Sequence, residues 1–394
     1  MNYIDLFAGC GGLSLGLHNG GIQGLFAVEK NEDAFATLKY NLIDKKKHFT
    51  WPDWLEMTNW DIDELIKRHK NNLIELRGSV DLIVGGPPCQ GFSMAGKRKS
   101  NDLRNKLVNA YIEFVKLVRP TALFFENVHG FTVAFDNDNK DNVPYSLKLI
   151  NELRILGYDV DSKMINMSEY GVPQKRKRFI LFASKKGNAQ DFFTNLQENK
   201  TNFLQKKGIN TPVTVNQAIS DLRRRNGEID SSDTKGFKNG KYSRKRSNYQ
   251  KIMRKDLKRA SIPDSHRFAK HKKETEKIFT DLMAIDKRSF RITPKMNLVA
   301  DLKKRGITPL KKSCICPTIT SIPDDFIHYS EPRIMTVREH ARIQSFPDDF
   351  YFKGKYTTGG ARRKMDVPRY TQVANAVPPL FAEQVGLSIS SFLQ

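Results

Sequence analysis

The feature that most constrains this chain is an alternation running through its first half, in which short apolar, β-branched or aromatic runs take turns with stretches of helical spacing. Residues 2–7, 25–28, 80–84, 122–125, 158–165 and 179–183 read as strands, and helices are predicted over 32–42, 62–70, 107–118 and 147–156. Such alternation builds an α/β fold, a Rossmann-like and mostly parallel sheet with helices on its faces. Sheets of this kind collect their ligands at the carboxyl ends of strands. Those ends therefore decide where to look.

The first strand runs into Ala8-Gly9-Cys10-Gly11-Gly12, a glycine-rich turn that opens a helix. Glycines allow a ligand close to the backbone, and the helix start behind them offers unpaired N–H groups, as a nucleotide-type cofactor requires. The second strand ends at Glu29, about twenty residues on, where a carboxylate can accept hydrogen bonds from ribose hydroxyls. NAD, flavin and S-adenosylmethionine all satisfy this pattern. The third strand leads into Gly85-Gly86-Pro87-Pro88-Cys89-Gln90-Gly91-Phe92-Ser93, a rigid loop with a cysteine at its tip, and the fourth ends at Glu126. A thiol held there is a candidate nucleophile, because two prolines preset a backbone that a small buried filler would not need. On an extended segment Gln174, Arg176 and Arg178 share one face, three donors that suit an acceptor-rich ligand. Taken singly, each element has an ordinary explanation: a tight turn, a small hydrophobe, a solvated acid, a basic edge strand.

Charge adds a partner. Lys and Arg number 66 against 43 Asp and Glu, a net +23 with a sequence pI near 9.7, which suits a polyanion and first of all nucleic acid. A membrane surface is the rival, but no apolar run approaches the ~20 residues of a spanning helix, so the expectation is a soluble, intracellular protein. Four cysteines make no disulfide framework, and Cys314 and Cys316 lack the spacing of a zinc pair, so no metal is expected. The composition shifts after Ser184. Within residues 235–259 eleven Lys and Arg face the single acid Asp256, with Phe237, Tyr242 and Tyr249 interleaved, a mixture suited to phosphate and base contacts. Two polar basic loops are expected at 97–104 and 353–369. An amphipathic helix capped by Thr336 is expected over 336–345, and a last helix over 381–392. The basic, Trp-containing insertion 45–60 carries no legible motif.

In combination these pieces resemble the C5-cytosine DNA methyltransferase family, in the family's usual order over residues 3–184 and 332–390. The resemblance rests on Asp5-Leu6-Phe7-Ala8-Gly9-Cys10-Gly11-Gly12, Glu29, Asp61, Pro87-Pro88-Cys89-Gln90, Glu126-Asn127-Val128 and Gln174-x-Arg176-x-Arg178. It continues through Arg333-x-x-Thr336-x-Arg338-Glu339-x-Ala341-Arg342-x-Gln344 and Gln372-Val373-Ala374-Asn375-Ala376-Val377-Pro378, where Ala374 stands in place of the family's more frequent glycine. The resemblance implies a catalytic domain at 1–184, a target-recognition domain at 185–331 and a C-terminal segment, 332–394, returning to the catalytic domain. It implies S-adenosylmethionine as cofactor, S-adenosylhomocysteine as product and no metal. Phe7, Ala8, Gly9, Gly11, Gly12, Glu29, Asp61, Ile62, Pro88, Asn375 and Val377 would bind the cofactor, with Glu29 at the ribose and Asp61 at the adenine. Cys89 would add to C6 of a flipped-out cytosine while Glu126 holds N3, and Arg178 would hold O2 with Arg176 nearby. Gln90, Ser93, Lys97, Arg98 and Arg104 would meet DNA from the catalytic loop, and Arg244, Lys245 and Arg246 from the basic domain. Double-stranded DNA is the implied partner, for a bacterial, cytoplasmic, nucleoid-associated monomer with a restriction endonuclease encoded separately. Three other readings stand beside it: a tRNA cytosine methyltransferase, whose branch has Pro-Phe-Thr where this chain has Gly91-Phe92-Ser93; a non-catalytic DNA-binding regulator; and a dinucleotide oxidoreductase.

Overall fold

A computed structural model describes residues 1–88, 103–133, 143–258, 261–285, 288–298, 306–358 and 366–394. By contact the chain divides into two units, one of residues 1–167, 177–201 and 381–394, the other of 168–176 and 202–380. The second unit thus takes in most of the segment 332–394 that the sequence assigns to the catalytic domain.

The first unit is built on six strands: β1 Asn2–Leu6, β2 Gln23–Val28, β3 Leu82–Gly85, β4 Ala122–Asn127, β5 Asp159–Asn166 and, after the two-residue β6 Gln174–Lys175 of the other unit, β7 Lys177–Ser184. Their order is β2-β1-β3-β4-β7-β5, parallel from β2 to β4 and antiparallel around β7, so the expectation of a mostly parallel sheet holds. The chain leaves β1 through α1 Gly12–Asn19 for β2 on one side and comes back to β3 on the other. That reversal opens a crevice above the carboxyl ends of β1 and β3. Both the glycine turn and the cysteine loop start there.

Helices cover both faces. On one, α3 Ile62–Glu75, α4 Leu103–Val118 and α5 Tyr145–Ile155 bury Leu65, Leu73, Tyr111, Phe114, Val118, Leu149 and Leu153 against Ile4, Phe26, Ile83, Leu123 and Phe125. On the other, α6 Ala189–Lys206 and α12 Pro379–Leu393 bring Phe192 and Phe392 to within 4.3 and 5.1 Å of the Phe182 ring. The helix expected over 32–42 is shorter. It is α2 Glu32–Leu38, capped by the Asn31 side chain, and it relaxes into a π-helical turn at Lys39–Lys45.

The insertion after that turn acquires a role. β2 is an edge strand whose outer groups need cover, and Gly24 N–H donates to the His48 carbonyl while Thr50 N–H donates back to Gly24. The Phe49 ring lies where a Cβ on Gly24 would stand, and Trp51 and Trp54 pack edge-on against Phe26.

The second unit is held by buried charge as much as by apolar packing. Its helices are α7 Val215–Ile219, α8 Asn248–Met253, α9 Lys273–Ala284, α10 Val337–Ile343 and α11 Arg369–Asn375. Short strand pairs, β8 Glu228–Asp230 with β9 Lys238–Gly240, β10 Thr308–Pro309 with β12 Phe326–Ile327, and β11 Cys316–Pro317 with β6, complete it. Helix α10 is capped as expected: Thr336 Oγ1 accepts from Glu339 N–H and the Glu339 carboxylate accepts from Thr336 N–H. It is not the amphipathic helix that its pattern suggests, because every residue from Val337 to Ile343 is buried. Its charged side chains find partners elsewhere in the unit. Arg342 lies 3.2 Å from Asp221 and 2.5 Å from Asp348, Arg338 lies 3.2 Å from Asp264, and Arg333 holds Glu339 through both of its terminal nitrogens. Buried charges persist only when paired in this way.

Candidate active site

Two glycines fix the floor of the crevice. A Cβ on Gly85, whose φ is +128°, would come 1.9 Å from the Leu6 carbonyl oxygen, and one on Gly86 would come 1.9 Å from that of Glu126. Only a chain without side chains there can bring the ends of β1, β3 and β4 together. The next residues, Pro87 and Pro88, lead to Cys89. Asn127 Nδ2–H donates to the Pro87 carbonyl at 3.2 Å, so the residue after the acid clamps the root of the cysteine loop. This function of a buried asparagine was not legible in the sequence, although its place beside Glu126 was the available signal.

Glu126 stands at the end of β4, and Arg178 Nε lies 3.1 Å from its Oε1. Both side chains are only 14 % exposed, so the pair sits in a recess. Antiparallel pairing of β4 with β7 puts Glu126 opposite Ile180 and brings Arg178 to it on the diagonal. Arg176 serves the protein's own backbone instead. Buried within the second unit, it donates to the carbonyls of Ala374 at 3.0 Å and Ala376 at 3.2 Å. Gln174, also buried, donates to the Ile343 carbonyl and to Gln344. The alternation seen in the sequence is present, with Lys175 and Lys177 exposed, but two of its three donors brace the fold from within. Ala374 lies in α11 with its carbonyl accepting from Arg176, a helical position that needs no glycine.

At the glycine turn Phe7 (φ +58°), Gly9 (φ +57°) and Gly11 (φ +89°) all take left-handed conformations. A Cβ on Gly9 would meet nothing within 4 Å, so the turn faces open space, whereas one on Gly11 would strike Leu42 at 2.7 Å. Gly11 is therefore explained by packing and Gly9 by access. Glu29 accepts from Gly9 N–H at 2.9 Å and Asn31 N–H at 2.7 Å. Burial raises its carboxyl pKa, and these N–H groups oppose the rise. Asp61 caps α3 through Asp63 N–H at 2.9 Å and pairs with Lys30 at 2.8 Å. Burial works against its charge, but Lys30 and the helix N–H groups prevail and hold its carboxyl below the usual range. Ile62 is buried beside it. An open turn backed by an oriented acid on the next strand fits the adenosine half of S-adenosylmethionine.

Asn375 and Val377 belong to the second unit, the former exposed and the latter buried. Cys89, Gln90, Ser93, Lys97 and Arg98, with most of the loop expected at 97–104, lie outside the described residues, as does the side chain of Arg104. Arg244, Lys245 and Arg246 are exposed just ahead of α8. The aromatics interleaved with them face inward. Tyr249 OH donates to the Arg342 carbonyl, Tyr242 OH to Asp348, and Phe237 lies under the Arg267 guanidinium at 4.3 Å. They pack within the second unit.

The open glycine turn, the root of the Cys89 loop at Pro87 and the recessed Glu126–Arg178 pair gather around the carboxyl ends of a mostly parallel sheet, and the molecule is of the Rossmann-like transferase class. The model of the C-5 cytosine-specific DNA methylase family matches residues 1–391, and the chain belongs to that family. Among its relatives are the type II methyltransferase M.DdeI of Desulfomicrobium norvegicum, 30 % identical over all of this chain and 89 % of that one, and M1.HphI of Haemophilus parahaemolyticus, 29 % identical over 99 % and 86 %. A solved structure of a prophage-encoded candidate DNA modification methyltransferase from E. coli superposes with a TM-score of 0.67 over 100 % of this chain and 99 % of that one, at 24 % identity, a likeness of fold. The protein is accordingly a DNA (cytosine-5-)-methyltransferase, of a family that uses S-adenosylmethionine and a covalent cysteine adduct, and the oxidoreductase reading falls. Among the described residues no helix is long and apolar enough to cross a membrane.

Proposed function

We propose that this enzyme is the modification methyltransferase of a type II restriction-modification system, acting on one cytosine within a short double-stranded sequence. The observation that carries the residue assignments is the convergence at the sheet's edge, where Gly85 and Gly86 let the root of the Cys89 loop abut Glu126 and Asn127 clamps Pro87. The Cys89 thiolate adds to C6 of the flipped base, forming the S–C6 bond and moving the C5=C6 electrons to C5, while Glu126 supports a proton at N3. Arg178 orients Glu126 and reaches O2. Flipping costs a few kcal/mol and exposes C6, which the stacked duplex hides. After C5 gains the methyl group a base takes the C5 proton, the C5–H electron pair re-forms the C5=C6 double bond, and the S–C6 bond breaks to return the Cys89 thiolate. When bound, S-adenosylmethionine supplies the methyl group as an electrophile and leaves as S-adenosylhomocysteine; Phe7, Ala8, Gly9, Gly11, Gly12, Glu29, Asp61, Ile62, Pro88, Asn375 and Val377 would hold it.

Arg176, through the carbonyls of Ala374 to Ala376, braces the segment that carries Asn375. Gln90, Ser93, Lys97, Arg98 and Arg104 contact the DNA around the flipped nucleotide, and Arg244, Lys245 and Arg246 contact phosphates. Residues 185–331 carry target recognition. The relatives' names support the restriction-modification assignment; our reading adds to it a cognate endonuclease encoded separately and a cytoplasmic, monomeric enzyme bound to the nucleoid through DNA.

Expression in a host without cytosine methylation, followed by genome-wide mapping of 5-methylcytosine, tests this. Methylation confined to one short sequence, and lost in Cys89→Ala with DNA binding retained, is the expected result. Methylation that survives in Cys89→Ala, or loss of DNA binding together with activity, overturns the nucleophile assignment, and methylated tRNA with unmethylated DNA overturns the substrate.

A further inference from the structure

In the second unit one turn presents its apolar side chains outward. Between Arg288 and Leu298, Phe290, Met296 and Leu298 are 51, 39 and 41 % exposed, although a satellite core of Phe279, Leu282, Ile292, Ile307, Ile327 and Ile334 lies at the foot of the same turn. Only Ile292 enters it. A chain with a core at hand normally turns such side chains inward, so three facing water within eleven residues mark a contact surface.

The turn is also built to hold its shape. Ile292 and Ile307 exchange backbone hydrogen bonds of 2.8 Å, Ser289 N–H donates to the Pro309 carbonyl, and Ser289 Oγ accepts from Lys311 N–H. Within it Met296 N–H and Asn297 N–H donate to the carbonyls of Thr293 and Pro294, with Asn297 left-handed at φ +48°. Arg288 ties the foot to the Tyr329 carbonyl.

Its charge is of one sign. Residues 288–298 contain Arg288, Arg291 and Lys295 and no acid. The Arg291 guanidinium, half exposed, lies 3.5 Å from Asp325 and occupies the space that a side chain on Gly306 would fill. It is therefore held in place while still open to a ligand. A rigid turn with cations and protruding apolar groups matches what the major groove offers: acceptors on guanine, the 5-methyl of thymine, and phosphates on either side.

We propose that the turn 288–298 reads base-pair edges in the major groove of the target, Arg291 at a guanine and Phe290, Met296 and Leu298 against apolar base edges. The assignment rests on the DNA methyltransferase reading above and supplies the recognition element that reading leaves unnamed. The test compares wild type with Arg291→Ala and with the triple variant Phe290→Ala, Met296→Ala, Leu298→Ala. Methylated sequences are mapped in a host free of cytosine methylation, and dissociation constants are measured for the mapped site and for a scrambled duplex. Binding of S-adenosylhomocysteine, read by thermal shift, shows that each variant is folded. The expected result is a ~5- to 150-fold loss of discrimination at one or two base pairs, with scrambled-duplex affinity nearly kept. An unchanged methylated sequence at an unchanged rate overturns the proposal, and so does an equal weakening on both duplexes, which is the mark of phosphate contact alone. If wild type methylates no DNA, the failure lies with the functional reading instead.

Discussion

Substituting Gly86 by alanine isolates the convergence at the sheet's edge, because Gly86 has an ordinary φ and the change adds only one methyl group. That methyl would lie 1.9 Å from the Glu126 carbonyl oxygen, whereas side-chain Cβ atoms essentially never come within 3.0 Å of another heavy atom. The ends of β3 and β4 must therefore part by at least about 1.1 Å. The atoms in the way are all backbone atoms of Glu126, so no rotamer relieves the clash. Overpacking of this kind costs about 1–3 kcal/mol of stability. The catalytic effect should be larger, since a misplacement near 1 Å between reacting groups lowers rates on the order of 100-fold. Single-turnover methylation of a cognate oligonucleotide measures it, with S-adenosylhomocysteine binding as the check on folding. Gly78→Ala is the control: Gly78 has φ +80° and open space around it, so it bears backbone strain without a clash. A Gly86→Ala enzyme that turns over within threefold of wild type would refute the argument that the Cys89 loop and Glu126 need this contact.

Asn127→Ala removes the clamp on the Pro87 carbonyl and should lower kcat by roughly 10- to 100-fold while leaving the KM for S-adenosylmethionine nearly unchanged. Glu29→Gln sets an amide N–H against one of the two backbone donors it now accepts, so S-adenosylhomocysteine affinity, measured by calorimetry, should fall ~5- to 150-fold. Asp5 is buried and its carboxyl is pushed up to about 7, mainly by burial, with the Ser14 hydroxyl opposing and Glu29 adding to the rise. Because the folded chain then holds a proton that the unfolded chain releases near pH 3.8, stability from this group is full below about pH 4 and is lost as pH rises to 7. Asp5→Asn should remove that slope and match wild type at pH 4 but exceed it by up to about 4 kcal/mol above pH 7, by chemical denaturation at each pH. Replacing Arg244, Lys245 and Arg246 by alanine should flatten the salt dependence of DNA binding by about 3 in log–log slope, without altering the methylated sequence.

The crevice was legible because its signals are local. Strand periods, the glycine turn, Glu29 and the Pro-Pro-Cys loop each lie within a few residues of chain, and the fold brings their ends together by topology alone. The Thr336 cap was legible for the same reason, since Glu339 sits three residues on. What could not be read depends on neighbours far away in sequence. Arg338, Glu339 and Arg342 look like the wet face of a helix until Asp264, Asp221 and Asp348 arrive to pair with the two arginines and Arg333 with Glu339. Tyr242 and Tyr249 look like base contacts until Asp348 and the Arg342 carbonyl of α10 accept from their hydroxyls. The need for glycine at 86 exists only because Glu126 lies beside it on the neighbouring strand, forty residues on in the chain.

The insertion at 45–60 shows how the same distance effect can join two separate signals. Glu29 and Asp61 are thirty-two positions apart, the first read as a cofactor acid from the strand pattern and the second implied by the family resemblance. Trp60 N–H donates to the Glu29 carbonyl, Asn59 Nδ2–H to the Lys30 carbonyl, and Lys30 pairs with Asp61. The Trp60 ring in turn packs against His69 of α3 and under Arg68. The segment that covers the exposed edge of β2 therefore also locks the end of β2 to the start of α3. An insertion without chemistry of its own thereby sets the spacing between two carboxylates, and Trp60→Ala should release that spacing and weaken S-adenosylhomocysteine binding, measured by calorimetry.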